Sequence, residues 1–154
     1  MNSDYLRMVE SKEMLAILTD ESGHVVWQTD GSPVGGIYRA YFQNKFFGCG
    51  KLLLYANQAG LAMGILLDKL RIVECHSVRM SECGQKLFEK SGIRYDYEEL
   101  IPLVKSSKDE SKVCPIEKFL SEHDDSKEQW TFLENRFGSG SPAHTSCEWK
   151  PGKR

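Results

Sequence analysis

The stretch LLLYANQAGLAMGILLDKLRIVECHSV, residues 52–78, decides the fold because its hydrophobic period changes twice. Leu52 to Ala56 is a short apolar run and reads as a strand or an extended lead-in. From Asn57 onward, Ala59, Ala62, Met63, Leu66, Leu67 and Leu70 recur at helical spacing. The spacing predicts a helix to about Leu70, capped by Asn57. Gly60 and Gly64 lower helix propensity but permit close approach to a sheet. Ile72 to Val78 returns to an extended, β-rich pattern. A strand, a helix and a strand in succession form a right-handed crossover, which makes the two strands parallel.

The same alternation continues on the C-terminal side. Ser81 is placed to cap a second helix, with Cys83, Leu87 and Phe88 facing inward. Gly92 ends that helix as a left-handed cap, and Ile93 to Tyr97 forms the next strand. On the N-terminal side, Asp4 to Lys12 reads as a helix capped by Ser3. Met14 to Thr19 and His24 to Thr29 read as strands. The turn formers Asp20, Glu21, Ser22 and Gly23 lie between them, so the pair forms an antiparallel hairpin. Asp30 to Pro33 breaks regular structure, and Gly35-Gly36 is expected to keep the chain loose. Tyr38, Tyr41 and Phe42 then share one helical face, which reads as a packing surface. The fold class is therefore α/β: a three-layer α/β/α sandwich whose mixed sheet carries an antiparallel edge hairpin.

Beyond the last strand, Lys105 to Lys112 is a polar, mobile loop. Pro115 to Glu122 reads as a helix with proline at its first position. Asp124 and Asp125 precede a further helix, Ser126 to Phe137, where acidic groups suit the positive helix start. From Gly138 the chain has few apolar residues and reads as a disordered tail. One domain, 1–137, and a tail, 138–154, account for the 154 residues.

Composition narrows the function classes. With 20 basic and 22 acidic residues the net charge is -2, so no overall positive surplus suits nucleic acid. The N-terminus has no basic start followed by an apolar run, and the longest apolar stretch, around Leu61 to Leu67, is too short to span a bilayer. A cytoplasmic location is the expectation. The five cysteines, Cys49, Cys75, Cys83, Cys114 and Cys147, are odd in number and contain no CxxC pair, which argues against a disulfide framework and a zinc knuckle. Gly48-Cys49-Gly50-Lys51 lacks the spacing of a phosphate loop, and Leu52 stands where Ser or Thr belongs.

Four short motifs occur in order: Ala56-Asn57-Gln58-Ala59-Gly60-Leu61-Ala62, Gly92-Ile93-Arg94-Tyr95-Asp96-Tyr97, Leu100-Ile101-Pro102 and Cys114-Pro115-Ile116-Glu117. Through them the chain, from about Tyr5 to Phe137, resembles an uncharacterised bacterial family. That family is known only as a domain of unknown function with a cytidine-deaminase-like fold. The resemblance implies that fold and supplies no activity. This sequence departs from the family at Asn57, where an aspartate is expected, and in a shorter segment before Leu52.

A zinc deaminase needs His or Cys, with Glu two residues on, at one helix start and Pro-Cys-x-x-Cys at the next. Here the first position offers Asn57-Gln58-Ala59 and the second has only Cys83. Cys75 and His76 are adjacent on a strand, so they point to opposite faces. No metal and no cofactor are therefore expected.

The crevice beyond the carboxyl ends of parallel strands is the usual ligand site of open α/β sheets. Asn57, Arg79 and Ser81 lie there, together with amides at two helix starts, and this set suits a phosphate or carboxylate. The plainer alternative makes Asn57 and Ser81 helix caps and leaves Arg79 solvated. Cys114 precedes a helix start, where amide dipoles favour a thiolate, and Glu117 is spaced to bond back to the Cys114 amide in a capping box. A nucleophile also needs a base, and His24, His76 and His123 are the candidates. Three functions stay open: binding of a small anionic metabolite or nucleotide in the crevice, cysteine-dependent chemistry with Cys114 and Glu117, and a noncatalytic protein-interaction module. A homodimer is compatible with each.

Overall fold

A computed structural model of the protein describes residues 2–138. Its helices are α1 (Ser3–Glu10), α2 (Pro33–Phe42), α3 (Leu61–Leu70), α4 (Glu82–Ser91), α5 (Pro115–Ser121) and α6 (Ser126–Leu133). The strands are β1 (Ala16–Asp20), β2 (Val25–Thr29), β3 (Leu52–Ala59), β4 (Glu74–Ser81) and β5 (Arg94–Ile101). One π-helical turn, Glu134–Gly138, extends α6.

The strands form one five-stranded mixed sheet in the order β2-β1-β3-β4-β5. β1 pairs antiparallel with β2 and with β3, whereas β3, β4 and β5 run parallel. The expected edge hairpin and parallel crossovers are both present. Side chains alternate across the sheet, as the strand period of two requires. Leu18, Leu54 and Cys75 point into the larger core, where Ile37, Leu66, Leu67 and Phe88 meet them from the helices. Ile17 and Tyr55 point the other way, into a smaller cluster closed by Val9 of α1. The sheet is thus covered on both faces, heavily on one and by α1 on the other. Each fully buried leucine or phenylalanine stabilises the fold by roughly 1.5–3 kcal/mol.

Several boundaries differ from the sequence expectation, each for a visible reason. The cap of α1 is Asn2, whose side chain accepts from the Asp4 and Tyr5 amides, and not Ser3. Gly35-Gly36 does not loosen the chain. Both glycines lie inside α2, where missing side chains make room for the Phe137 and Trp27 rings: an added Cβ would lie 2.7 Å and 2.8 Å from them. Asn57 does not cap α3. Pairing with β4 holds β3 extended as far as Ala59 opposite Met80, so the helix begins one residue after Gly60. β5 runs on to Ile101 opposite Ser81. Gly138, read as the first residue of the tail, belongs to the π-helical turn, and the rest of the tail, 139–154, lies outside the described residues.

Other expectations hold in detail. Ser81 caps α4 by accepting from the Gly84 amide, and Gly92 ends it at φ +74°. Pro115 opens α5, and Asp125 caps α6. Among the described residues no helix is long and apolar enough to cross a membrane.

Candidate functional site

The first building block is the carboxyl end of β3. Alternation buries Asn57 at 5 % exposure on the α1 side, where its Nδ2 donates to the Val9 carbonyl at 2.9 Å. Its Oδ1 accepts from Arg79 Nη2 at 2.9 Å. Asn57 therefore ties α1, β3 and β4 together at one point. The next residue, Gln58, uses both ends of its carboxamide on one backbone unit. It donates to the Lys105 carbonyl at 3.0 Å and accepts from the Lys105 amide at 2.8 Å.

The second block is the segment that Gln58 anchors. Lys105 bridges Val113 in an isolated antiparallel contact, and the Ser106 amide donates to the Lys112 carbonyl at 2.8 Å. The Cys114 amide donates to the Val104 carbonyl at 2.8 Å. Residues 105–113 thus form a strap with a closed neck. At its exposed tip, Asp109 accepts from the Ser111 amide and hydroxyl. Glu110, beside it, reaches back to the body of the protein. Its Oε2 meets Arg79 Nη2 at 2.9 Å and Lys12 Nζ at 2.6 Å. These two cations, Arg79 first, hold the Glu110 carboxyl down at about 2. Lys12 sits just past α1 with φ +67°, a left-handed turn that a non-glycine residue adopts rarely.

The third block lies at the start of α3. Glu117, on the first turn of α5, is only 2 % exposed. Its Oε1 accepts from the Leu61 amide at 2.8 Å, and its Oε2 accepts from the Val104 amide and the Cys83 thiol, each at 3.4 Å. A carboxylate from a distant helix thereby caps α3, and Gly60 leaves the space for it: a Cβ at residue 60 would lie 2.6 Å from Oε1. The start of α4 is equally close. A Cβ on Gly84 would lie 2.7 Å from the Gly60 Cα, so the two helix starts meet backbone to backbone.

Between these blocks opens a cleft of about 290 Å³. Asn57, Gln58, Gly60, Cys114 and Glu117 border it, together with Lys12, Lys105 and Glu110. Leu15, Val34, Met63, Val104 and Ile116 give it an apolar side. It lies at the carboxyl end of β3, where the sheet changes from parallel to antiparallel pairing.

Of the residues singled out in the sequence, Asn57, Cys114 and Glu117 border this cleft. Arg79 stands behind its rim, with 14 % of its side chain exposed and engaged by Asn57 and Glu110 rather than solvated. Ser81 is fully buried and does not border the cleft; it is a helix cap. Two expectations are corrected here. Glu117 does not bond back to the Cys114 amide, because that amide is taken by Val104 and the carboxylate turns toward Leu61. Nor are the amides at the two helix starts exposed as expected: those of Leu61 and Gly84 donate to Glu117 and Ser81.

Cys114 has no histidine beside it: among the described residues no histidine borders the cleft. His76 packs on the Tyr55 ring, between Glu74 at 2.6 Å and Asp96 at 2.9 Å. His123 stacks on Phe119, and His24 pairs with Asp20 in the hairpin. Cys83, not Cys114, is the thiol in contact with Glu117. Burial first, and then the Glu117 charge, pushes the Cys83 thiol up, which disfavours a thiolate. Among the described residues no group of three or more His, Cys, Asp or Glu side chains is placed to hold a metal ion.

The sequence reading missed Lys12, Gln58 and Glu110. Glu110 carries no local signal, since it sits in a run of polar residues that any solvated loop would show. Gln58 lies inside the Ala56–Ala62 motif, but its partner is a backbone 47 positions away.

Comparison with known proteins agrees with the fold. The crystal structure at 2.70 Å resolution of a DUF1893 family protein (TM1506) from Thermotoga maritima superposes with a TM-score of 0.69. It is 22 % identical, and the match covers 88 % of each chain. No curated protein matches this sequence. The family model described as TM1506, domain of unknown function (DUF1893), matches residues 6–137, and the chain belongs to that family.

Proposed function

We propose that this domain binds a small anionic metabolite or nucleotide in the cleft at the end of β3, with the ligand's acid group seated on Arg79 and Lys12. One observation carries the reading. Two cations from separate elements converge on a single carboxylate oxygen of Glu110, at 2.9 Å and 2.6 Å, beside the cleft. Arginine and lysine so arranged recognise a carboxylate or phosphate by charge-assisted hydrogen bonds. The apolar side formed by Leu15, Val34 and Met63 suits the remainder of such a molecule.

The domain is further read as a cytidine-deaminase-like fold that works without zinc. The order of helices and strands supports the likeness. Against zinc stands the packing between the two helix starts, where that fold would hold the ion. Gly60 and Gly84 are in backbone contact there, and the Glu117 carboxylate fills the adjoining space. Of zinc-ligating types only the Cys83 thiol and the Glu117 carboxylate meet there, and among the described residues no third His, Cys, Asp or Glu joins them to make a tetrahedral set.

Cysteine chemistry is the second reading, favoured by the place of Cys114 on the cleft wall. The absence of a neighbouring histidine among the described residues ranks it lower.

A thermal-shift screen of nucleotides and phosphorylated metabolites tests the proposal. The expected result is a rise in Tm with at least one compound, lost in Arg79→Ala. No rise with any compound contradicts it. Rapid iodoacetamide labelling of Cys114 at neutral pH, with no such rise, favours the cysteine reading.

A further inference from the structure

We infer that the strap 105–113 is a lid latched by its own acid group: Glu110 occupies the seat of the ligand's anion, and a ligand binds by displacing it. This rests on the cleft reading above and adds a moving part and its release.

The latch is set apart from the neck. The neck is fixed by Gln58, by the Lys105–Val113 bridge and by the Ser106–Lys112 hydrogen bond. These contacts involve backbone atoms and need no charge. The tip instead reaches the body through Glu110, which meets Lys12 and Arg79. Glu110 is 40 % exposed and Lys12 49 % exposed, so water competes for both. Such pairs form and break at little cost. A segment with a rigid base and an exposed ionic tip opens locally without unfolding the core.

The seat under the tip is better built than the latch itself. Arg79 is 14 % exposed and is oriented from behind by Asn57, which is in turn fixed to the Val9 carbonyl. Removing Glu110 therefore leaves a positioned guanidinium and an adjacent ammonium rather than a collapsed pair. An incoming phosphate carries more charge than one carboxylate and presents three acceptor oxygens to the same two cations. It competes with Glu110 at the same atoms.

The test compares the full-length protein with Glu110→Gln, using inorganic phosphate as the probe at fixed low ionic strength. The variant keeps the side-chain length and removes the competing charge from an exposed position, so folding is not at stake. Phosphate is expected to bind Glu110→Gln about three- to fivefold more tightly, the size of a half-exposed ion pair. Saturating phosphate is also expected to speed amide exchange at residues 107–111 in the unaltered protein. Equal affinity for the two proteins, or unchanged exchange, overturns the latch and leaves the cleft reading in place. Binding to neither protein, with Arg79 side-chain resonances unmoved, overturns both.

Discussion

The Glu117 carboxylate accepts a hydrogen bond from the Leu61 amide at 2.8 Å, across 56 positions of sequence. A residue on the first turn of α5 thus caps α3, an element whose own N-cap residue is a glycine with no side chain to give. Capping by a distant carboxylate joins two elements that sequence patterns describe separately. It also sets one wall of the cleft.

Truncating that carboxylate exposes its worth. Glu117→Ala leaves the buried Leu61 amide without a partner and opens a small cavity. A loss of about 3 kcal/mol is expected. Glu117→Gln keeps a carbonyl oxygen for Leu61 and is expected to lose less than half as much. Urea denaturation of the three proteins measures both values. Equal losses in the two variants would show that the charge, and not the acceptor, matters.

The close contact between helix starts makes a sharper steric prediction. Gly84→Ala puts a methyl 2.7 Å from the Gly60 Cα, where backbone must move. The expected cost is roughly 2–3 kcal/mol. Gly92→Ala meets no atom within 4 Å, and only its φ of +74° opposes it. That change is expected to cost about 1 kcal/mol. Thermal unfolding of the pair ranks them, and a Gly84→Ala protein as stable as Gly92→Ala would show that the helix starts separate easily.

How far the sequence foretold this arrangement can be followed residue by residue. Ser81, Gly92, Pro115 and Asp125 were legible because caps and turns act within a few positions. The parallel order of β3, β4 and β5 was legible because crossovers have a fixed hand. Local helix-capping chemistry points Asn57 to the wrong role, because pairing with β4 decides the backbone there. Gly35 and Gly36 mislead for the same reason: their use is to admit Phe137 and Trp27, and those rings come from elsewhere in the chain. The capping-box spacing singles out Glu117 but gives it the wrong partner, since no spacing rule points from α5 to Leu61. Glu110 was invisible, because a latch between a loop and two distant cations leaves no period.

Acid should release the latch late. The Glu110 carboxyl sits at about 2 in the folded protein, below its ordinary value near ~4.3 in an unfolded chain. A depressed folded value contributes stability above the unfolded value and loses it as pH falls toward the folded one. The stability difference between the unaltered protein and Glu110→Gln is therefore expected to be constant from pH 8 to about 5 and to vanish near about 2. It stays below about 1 kcal/mol throughout because the pair is exposed. Denaturation across this range reads the difference, and carbon-detected NMR of the Glu110 carboxyl reads its titration directly. Titration at the ordinary value would mean that Arg79 and Lys12 do not hold it in solution.

The thiols should separate by environment. Burial pushes Cys75 up and seals it from solvent, so iodoacetamide is expected to leave it unlabelled in the native protein. Cys83 is half-buried and pushed up by burial and by Glu117, so slow labelling is expected, with a several-fold acceleration in Glu117→Gln. Peptide mass spectrometry over a time course gives the rates. No acceleration of Cys83 in that variant would sever the link between the two residues.

Arg79 and Lys12 are proposed to form an anion seat at the rim of the cleft. Two-dimensional NMR during a titration with adenosine monophosphate tests it most directly. Saturable shifts are expected at Lys12, Asn57, Gln58, Arg79 and residues 105–113, with their loss in Arg79→Ala. Shifts confined to other surfaces, or shifts that survive unchanged in Arg79→Ala, would contradict it.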